Sequence, residues 1–516
     1  MSNNISLPSV EEVNKWSPDD VITFLGSNKN ELFLRDQDIK TIKDNWLPGS
    51  AFLELSQDEL QGKIGLWDQT EKDLGKFWKF LENAKIDNNF LQLSEGVYFL
   101  GLKERGATLY IRKCYDHLAN IIVFNENIHR CRITGNPGIG KTFFGLYLLH
   151  LLSKQNKPIV YHQACQYPIL FNKQHTFRSN DISDFIEYLD NTDVWYIVDG
   201  QPPLQVQAKT ILLCSPQKQH YKEFDKMVGT TIRYMPVWSW NEINECRIGM
   251  FNHLEVVKVE DLYSRWGGIP RFILEKALDS SQQNHLEDAI SKSNTRLFEF
   301  VGEIDHVDDV SHRIIHIHTN LPGEEGEKNE GEDAPYIQKF ILFASEWVAE
   351  KVMDKLERNY SQQLRNFVSA SSSENEYSTL RGVIFEQIAH RILQKGGSFN
   401  IRPLGADLTS SKIEIPERIK ILHPLMQLLH PTHSFQMTVS KNHPINMSGM
   451  KKLVDKLGGK SGTNRIYFYF VLPNDLYDNY QAQHFHTTGK TVAKKIPRWI
   501  NNRVKQYALE IDLSSR

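Results

Sequence analysis

Gly135-Asn136-Pro137-Gly138-Ile139-Gly140-Lys141-Thr142 is the stretch that decides how this chain is read. It fits G-x(4)-G-K-[ST], a pattern that requires a strand before it and a helix after it. Cys131-Arg132-Ile133-Thr134 supplies an apolar strand end, and Phe143, Leu146, Leu149 and Leu152 recur at helical spacing beyond it. From ordinary residue frequencies, a chance match in a chain of this length has odds of about 2%. The residue types follow from the chemistry of phosphate. Glycines let backbone N–H groups turn inward with no Cβ in the way. The N-terminus of the following helix adds positive potential. Lys141 neutralises β- and γ-phosphate oxygens, and the Thr142 hydroxyl is the expected Mg²⁺ ligand. The whole stretch from Gly135 to Thr142 therefore predicts a site for ATP or GTP with Mg²⁺.

A second metal anchor should end a buried strand, and Val194-Trp-Tyr-Ile-Val198-Asp199 provides one. Many NTPases place a glutamate directly after this aspartate to activate water, but here Gly200 and Gln201 follow. Either the base comes from elsewhere, or hydrolysis is slow and the nucleotide acts mainly as a switch. Lys209 to Ser215 reads as the next strand, with Ser215 placed to sense the γ-phosphate or simply to form a Ser-Pro turn. Arg265-Trp-Gly-Gly268-Ile-Pro270-Arg271 resembles the G-G-x-P-R stretch of signal-transducing ATPases. That likeness implies a phosphate contact by Arg271, the plain alternative being a Gly-Pro turn with a solvated arginine.

With 516 residues the chain exceeds a single core, and three domains or so are expected. A formal charge of -3 from 60 basic and 63 acidic side chains gives no overall pull toward nucleic acid, so any basic surface must be local. The five cysteines never fall in C-x-x-C spacing, which excludes a zinc ribbon and points to free thiols in a reducing compartment. The N-terminus lacks the basic and apolar regions of a signal peptide, and no apolar run approaches the roughly 20 residues of a membrane span. These features predict a soluble, intracellular protein of cytoplasm or nucleus with no membrane partner.

Residues 10–86 read as short capped helices: Ser17 and Asp36 as caps, breaks at 47–49 and 65–66, and a last helix through Phe77, Trp78, Phe80 and Leu81. W-S-x-x-D-V-x-x-F-L followed by G-x-A-F-L-x-L resembles a sterile alpha motif (SAM) domain, which implies self-association or a protein partner. The expected fold is multidomain. A SAM-like bundle (10–86) precedes an α/β P-loop NTPase domain with a parallel sheet and helical lid (95–310). An acidic flexible loop (320–335) then leads to an α/β restriction-endonuclease-like domain (336–516).

An ordered series of segments carries a wider resemblance. It comprises Leu109-Tyr-Ile-Arg-Lys-Cys-Tyr115, Ile133 to Thr142, Trp195-Tyr-Ile-Val-Asp-Gly200, Tyr234-Met-Pro-Val-Trp-Ser239 and Gly267-Gly-Ile-Pro-Arg-Phe272. Arg381-Gly-Val-Ile-Phe-Glu386-Gln-Ile-Ala-His390 and Phe435-Gln-Met-Thr-Val-Ser-Lys-Asn-His-Pro444 complete it. From about residue 95 to the end the chain resembles Crinkler-type proteins, related to retrotransposon hot spot proteins. The resemblance implies an NTPase joined to a nuclease-like domain, and effectors delivered into host cells. The family's L-F-L-A-K translocation header is missing here, and a SAM-like unit stands in its place.

A nuclease of the implied type needs a helix-borne acid, a strand-ending Asp and an E/Q-x-K on the next strand, the carboxylates holding Mg²⁺. Glu386 fits the first position and Gln436 the third, with Thr438 where lysine belongs and Lys441 and His443 just beyond. No acid stands about ten residues before Gln436, where Gln427 lies; Asp407 is the nearest, in an expected loop. An active Mg²⁺-dependent DNA nuclease, a degraded DNA-binding version and an unrelated fold all remain open. Lys494, Lys495, Arg498 and Arg503, interleaved with Trp499 and Tyr507, would form a phosphate-binding strip, for which the acidic loop is a built-in competitor. The leading expectation is a modular NTPase with a degraded nuclease-like domain. The rival is a scaffold whose nucleotide sets its oligomeric state.

Overall fold

The computed structural model describes residues 8–28, 39–40, 42–43, 48–54, 69–125, 127–173, 176–294, 311–322, 334–370, 377–405, 409–416, 421–422, 427–428, 433–456, 465–487, 492–493 and 495–513. It divides into two compact units, one of residues 1–134, 140–233 and 245–252, the other of residues 135–139, 234–244 and 253–516.

In the first unit, Ser17 caps the helix Pro18–Ser27 in a reciprocal box with Asp20, as its sequence predicts. Val21, Leu25 and Ile42 bury against Trp16, Phe24 and Phe52. The Asp36 cap and the 65–66 break lie outside the described residues. The last helix of this stretch, Gln69–Leu81, is not confined to a separate bundle. Its Phe77 ring packs 6.0 Å from Phe99 and 6.2 Å from Phe171, and Trp78 Nε1 donates to the Asn172 carbonyl at 2.6 Å. The carbonyl of Leu81 meets His150 Nδ1 at 2.8 Å.

Three short antiparallel strands follow, β1 (Lys85–Asp87), β2 (Phe90–Gln92) and β3 (Thr108–Tyr110). The principal sheet has seven strands, β4 (Arg130–Thr134), β5 (Ile159–Gln163), β6 (Ile169–Phe171), β7 (Thr176–Arg178), β8 (Trp195–Asp199), β9 (Lys209–Leu213) and β10 (Thr230–Tyr234). They lie in the order β10-β4-β9-β8-β5-β6-β7. From β4 through β9 and β8 to β5 the pairing is parallel, but β5-β6-β7 is antiparallel. The expected parallel sheet is thus parallel only at its centre. The link from β5 to β6 is far shorter than a parallel crossover, which needs a dozen residues or more, and it turns at Cys165 with φ +60°. The parallel strands read as apolar runs because both faces are covered; Ile197, Val198, Leu212 and Leu213 are fully buried.

In the second unit, strands Ile315–His318 and Phe340–Phe343 form an antiparallel pair. Asn320 joins the two flanks of the acidic segment: its Oδ1 accepts from the backbone N–H of Ile337 and Gln338, and its Nδ2 donates to the Ala334 carbonyl. Residues 323–333, the acidic run itself, lie outside the described residues. A five-stranded mixed sheet follows in the order Ser411–Ile415, Gly397–Pro403, Val504–Ile511, Ile466–Pro473, His433–Met437. The last three strands are mutually parallel and the first two antiparallel to their neighbours. One face packs Phe468, Phe470 and Leu472 against Met447, Tyr480 and Ile500. The other stacks His433 and Phe435 on Tyr469, 5.6 and 4.9 Å between ring centres.

Candidate functional site

In the first unit, β9 separates β4 from β8, so strands ending at Thr134, Leu213 and Asp199 lie side by side. Asp199 is 7% exposed, and the Thr142 hydroxyl and the Lys141 ammonium both act on it to favour its charged form. Burial pushes its carboxyl up, and Thr142, Lys141, Arg105 and Tyr161 pull it down. Thr142 opens the helix Lys141–Lys154 after Gly140, whose φ of +98° suits glycine, and no side chain caps that helix. Tyr115 donates its hydroxyl to the Gly140 carbonyl at 2.6 Å, anchoring the helix start. The donors present, one ionisable carboxylate and an adjacent hydroxyl, fit Mg²⁺, which takes one or two protein oxygens and fills its octahedron with water and phosphate. The fully buried Tyr161 hydroxyl beside Asp199, with no well-formed hydrogen bond, is a further polar group such a hydrated ion would satisfy.

The two residues that stand where many NTPases place a glutamate are engaged within the fold. Gly200 turns with φ +75° and donates its N–H to the Leu213 carbonyl at 2.8 Å. Gln201 Nε2 donates to the His162 carbonyl at 3.3 Å. Among the described residues, the side chains acting on Asp199 are two cations, two hydroxyls and the Gln163 amide, with no second carboxylate. Ser215 lies half-buried just past β9, and its carbonyl accepts from the Gln217 N–H at 2.7 Å, so it does start a Ser-Pro turn.

In the second unit, Gly135 to Ile139 are pinned from several sides. A Cβ on Gly135 would stand 2.7 Å from the Met235 carbonyl oxygen, and one on Gly138 would stand 3.0 Å from the Arg271 Cβ. Both glycines hold positive φ, +148° and +80°, so these positions admit no side chain. Trp238 Nε1 donates to the Ile139 carbonyl at 2.8 Å. The stem of Arg271, at the start of a wide π-type turn after Pro270, therefore lies against the loop. Gly268 lets Trp238 approach, since its Cβ would fall 2.1 Å from the Trp238 carbonyl oxygen. The Asn136 side chain is engaged within the fold, which leaves only its backbone for the expected nucleotide contact. It is fully buried, its Nδ2 donates to the Ile315 carbonyl at 3.2 Å, and its Oδ1 accepts from the Ile317 N–H at 2.7 Å. Its side chain is spent pairing the loop with a strand edge.

The C-terminal candidates do not converge in the same way. Glu386 is half-exposed on the helix Ser378–Lys395, its Oε1 3.8 Å from the His390 Nε2 one turn on. Thr438 is buried, accepts from the Ser440 N–H at 3.1 Å and meets His443 Nδ1 at 3.3 Å; it closes a turn. Gln436 is half-buried in the edge strand and Lys441 is exposed, its carbonyl accepting from Gln483. Gln427 sits in a two-residue strand paired with Leu422; Asp407 lies outside the described residues. Among the described residues, no group of three or more His, Cys, Asp or Glu side chains is placed to hold a metal. The proposed phosphate strip is also broken. Lys495 and Arg498 are exposed, but Arg503 is only 8% exposed because it closes the helix Arg498–Arg503 into the domain. Lys494 lies outside the described residues.

The sequence offered no motif for Tyr115 as a clamp on Gly140, for Trp238 on the loop carbonyl, or for Gln163 and Arg105, which reach Asp199 from other elements. Tyr115 and Trp238 fall within segments already quoted, so position alone could have flagged them. Gln163 and Arg105 carried no signal.

Comparison with known proteins agrees with the segment series. A family model described as a SAM-like domain matches residues 1–80. Crinkler effector protein 15 of Phytophthora infestans is 27% identical over 456 residues, covering 78% of this chain and 67% of that protein. Crinkler effector protein 16 of the same organism is 26% identical over 456 residues, covering 78% and 66%. The chain spans about two thirds of the length of each. Over most of its length this chain is therefore similar to the Crinkler effectors, and it carries a SAM-like domain at residues 1–80.

Proposed function

We propose that this chain is a nucleotide-dependent switch that binds ATP or GTP with Mg²⁺ at Gly135–Thr142 and hydrolyses it slowly. The observation that carries the reading is the buried Asp199, on which Thr142 and Lys141 of the following helix both act. Asp199 and Thr142 would hold the Mg²⁺, which would supply positive charge against that developing on the phosphate. Lys141 would meet the β/γ oxygens, the backbone of the loop would cradle them, and Arg271 would report on the loop it packs against. Slow turnover follows from a carboxylate that has no acidic neighbour to take a proton from water. The SAM-like domain supplies self-association or a partner protein. The C-terminal domain keeps a nuclease-like plan without a working metal site and meets DNA through Lys495 and Arg498. An effector role, carried over from the relatives' name, fits a protein that works through partners. Among the described residues no helix is long and apolar enough to cross a membrane.

Isothermal titration of the full chain with ATP and GTP, with and without Mg²⁺, tests the reading. Lys141→Ala should weaken binding at least about 100-fold, near 2.7 kcal/mol, with an unchanged melting curve. Equal affinity in the two proteins would end the proposal.

A further inference from the structure

We infer that Gln163 and Arg105 are positioning residues for Asp199, a two-member relay that sets the metal seat in the absence of a second carboxylate. The inference rests on the nucleotide–Mg²⁺ reading above. Gln163 ends β5, and the parallel register places it directly across from Asp199 at the end of β8. Its Nε2 donates to Asp199 Oδ2 at 3.2 Å, and its Oε1 accepts from Arg105 Nη2 at 2.5 Å. The arginine decides which way the amide points. A guanidinium can only donate, so it turns Oε1 toward itself and leaves the NH₂ facing the carboxylate. An amide in that place holds Oδ2 without bringing a proton or a charge, which leaves the other oxygen available to a hydrated cation. A glutamate there would bring a second negative charge to a buried site.

Arg105 is held from behind. It ends the short turn Lys103–Arg105, which follows the turn Phe99–Gly101. Gly101, at φ +73°, lies so close to the helix Gln69–Leu81 that a Cβ would stand 2.7 Å from the Leu74 nitrogen and 2.8 Å from the Asp73 carbonyl carbon. The ring of Phe99 packs on Phe77 of the same helix. The relay is thus braced by a helix that the sequence places at the end of the SAM-like region. Partners at this remove from a metal commonly change its affinity 10- to 100-fold when removed.

The test uses Gln163→Leu, which keeps bulk and loses both hydrogen bonds, and Arg105→Ala, which frees the amide. Full-length protein saturated with ATP is titrated with Mn²⁺ and the unbound ion is followed by electron paramagnetic resonance. ATP affinity in EDTA is measured in parallel. We expect Mn²⁺ to bind about tenfold more weakly to Gln163→Leu and severalfold more weakly to Arg105→Ala. ATP affinity in EDTA should stay within twofold, and Arg105→Lys should recover part of the loss. Unchanged Mn²⁺ affinity in both variants would overturn the relay. So would a parallel fall in metal-free ATP affinity, which would signal general disruption. If Gln163→Leu fails to fold, Gln163→Asn, one methylene shorter, carries the same comparison. A wild type that binds ATP but shows no variant effect sinks the relay alone, whereas a wild type that binds no ATP sinks the nucleotide reading with it.

Discussion

The ends of the central strands in the first unit and the C-terminal sheet offer the same raw material, parallel strands with polar residues at their margins, and use it in opposite ways. In the first, strand register delivers Gln163 and Asp199 to the same level, and the helix behind Gly140 brings Lys141 and Thr142 to meet them. In the second, the polar groups pair off locally. Glu386 finds His390 one turn away, Thr438 closes its own turn, and the most buried charge, Arg381, is consumed in structure. Arg381 donates to Asp475 at 2.8 Å and to the carbonyls of Val368 and Val439, tying two helices and the edge strand together. A buried cation satisfied on every side is a fastening. A buried carboxylate met by hydroxyls, cations and an amide is what the proposed metal seat consists of.

The contrast breaks most visibly at Asp199. Asp199→Asn should lower Mg²⁺-dependent turnover by roughly 1,000-fold, about 4 kcal/mol of barrier, while ATP affinity in EDTA stays within a few-fold. A phosphate-release assay reads the first and calorimetry the second, and turnover equal to wild type would remove Asp199 from the metal seat.

If Arg381 is a fastening, Arg381→Ala should destabilise the second unit by about 3 kcal/mol, since it leaves Asp475 without its cation and two carbonyls unmet. Asp475 is about a third exposed, which puts the figure at the low end of that range. Urea denaturation followed by tyrosine and tryptophan fluorescence measures it. A loss below 1 kcal/mol would mean the residue is kept for something other than stability.

A smaller effect separates the regions by pH. His316 is 1% exposed with neither ring nitrogen hydrogen-bonded, and burial, aided by His318 and His312, lowers its pKa to about 3. The folded state resists protonation, so this residue's contribution is fully present above the unfolded value near 6.5 and is lost as pH falls from there toward 3. His316→Leu should therefore flatten the acid limb of the stability curve by up to one proton, about 1.4 kcal/mol per pH unit. Identical slopes for variant and wild type in urea melts between pH 6.5 and 4 would place the ring in a wetter setting than the fold implies.

The smallest expected effect is at Glu386. Plasmid incubated with Mg²⁺ and either wild type or Glu386→Ala should show the same, near-background nicking. Robust cutting by the wild type that the variant lacks would erase the contrast and restore an active nuclease. DNA binding, measured across salt, should weaken steeply if Lys495 and Arg498 meet phosphate.

What could be read directly from the chain was whatever is local. G-x(4)-G-K-T names its own loop because the glycines must turn, the lysine must follow, and both act within eight consecutive residues. The Ser17 cap and the apolar strand ending at Asp199 were equally legible, since caps and periodicity are near-neighbour effects. Tertiary structure decided which distant groups meet. It paired the Asn136 side chain with a strand edge, sank Arg503 and folded β6 and β7 back against β5. It also laid the helix Gln69–Leu81 on the sheet and brought Arg105 and Gln163 to Asp199. The physical reason is that a motif specifies backbone conformation and residue chemistry over a few positions. Strand order, register and the burial of a particular side chain are set by the packing of the whole core, which no short stretch encodes.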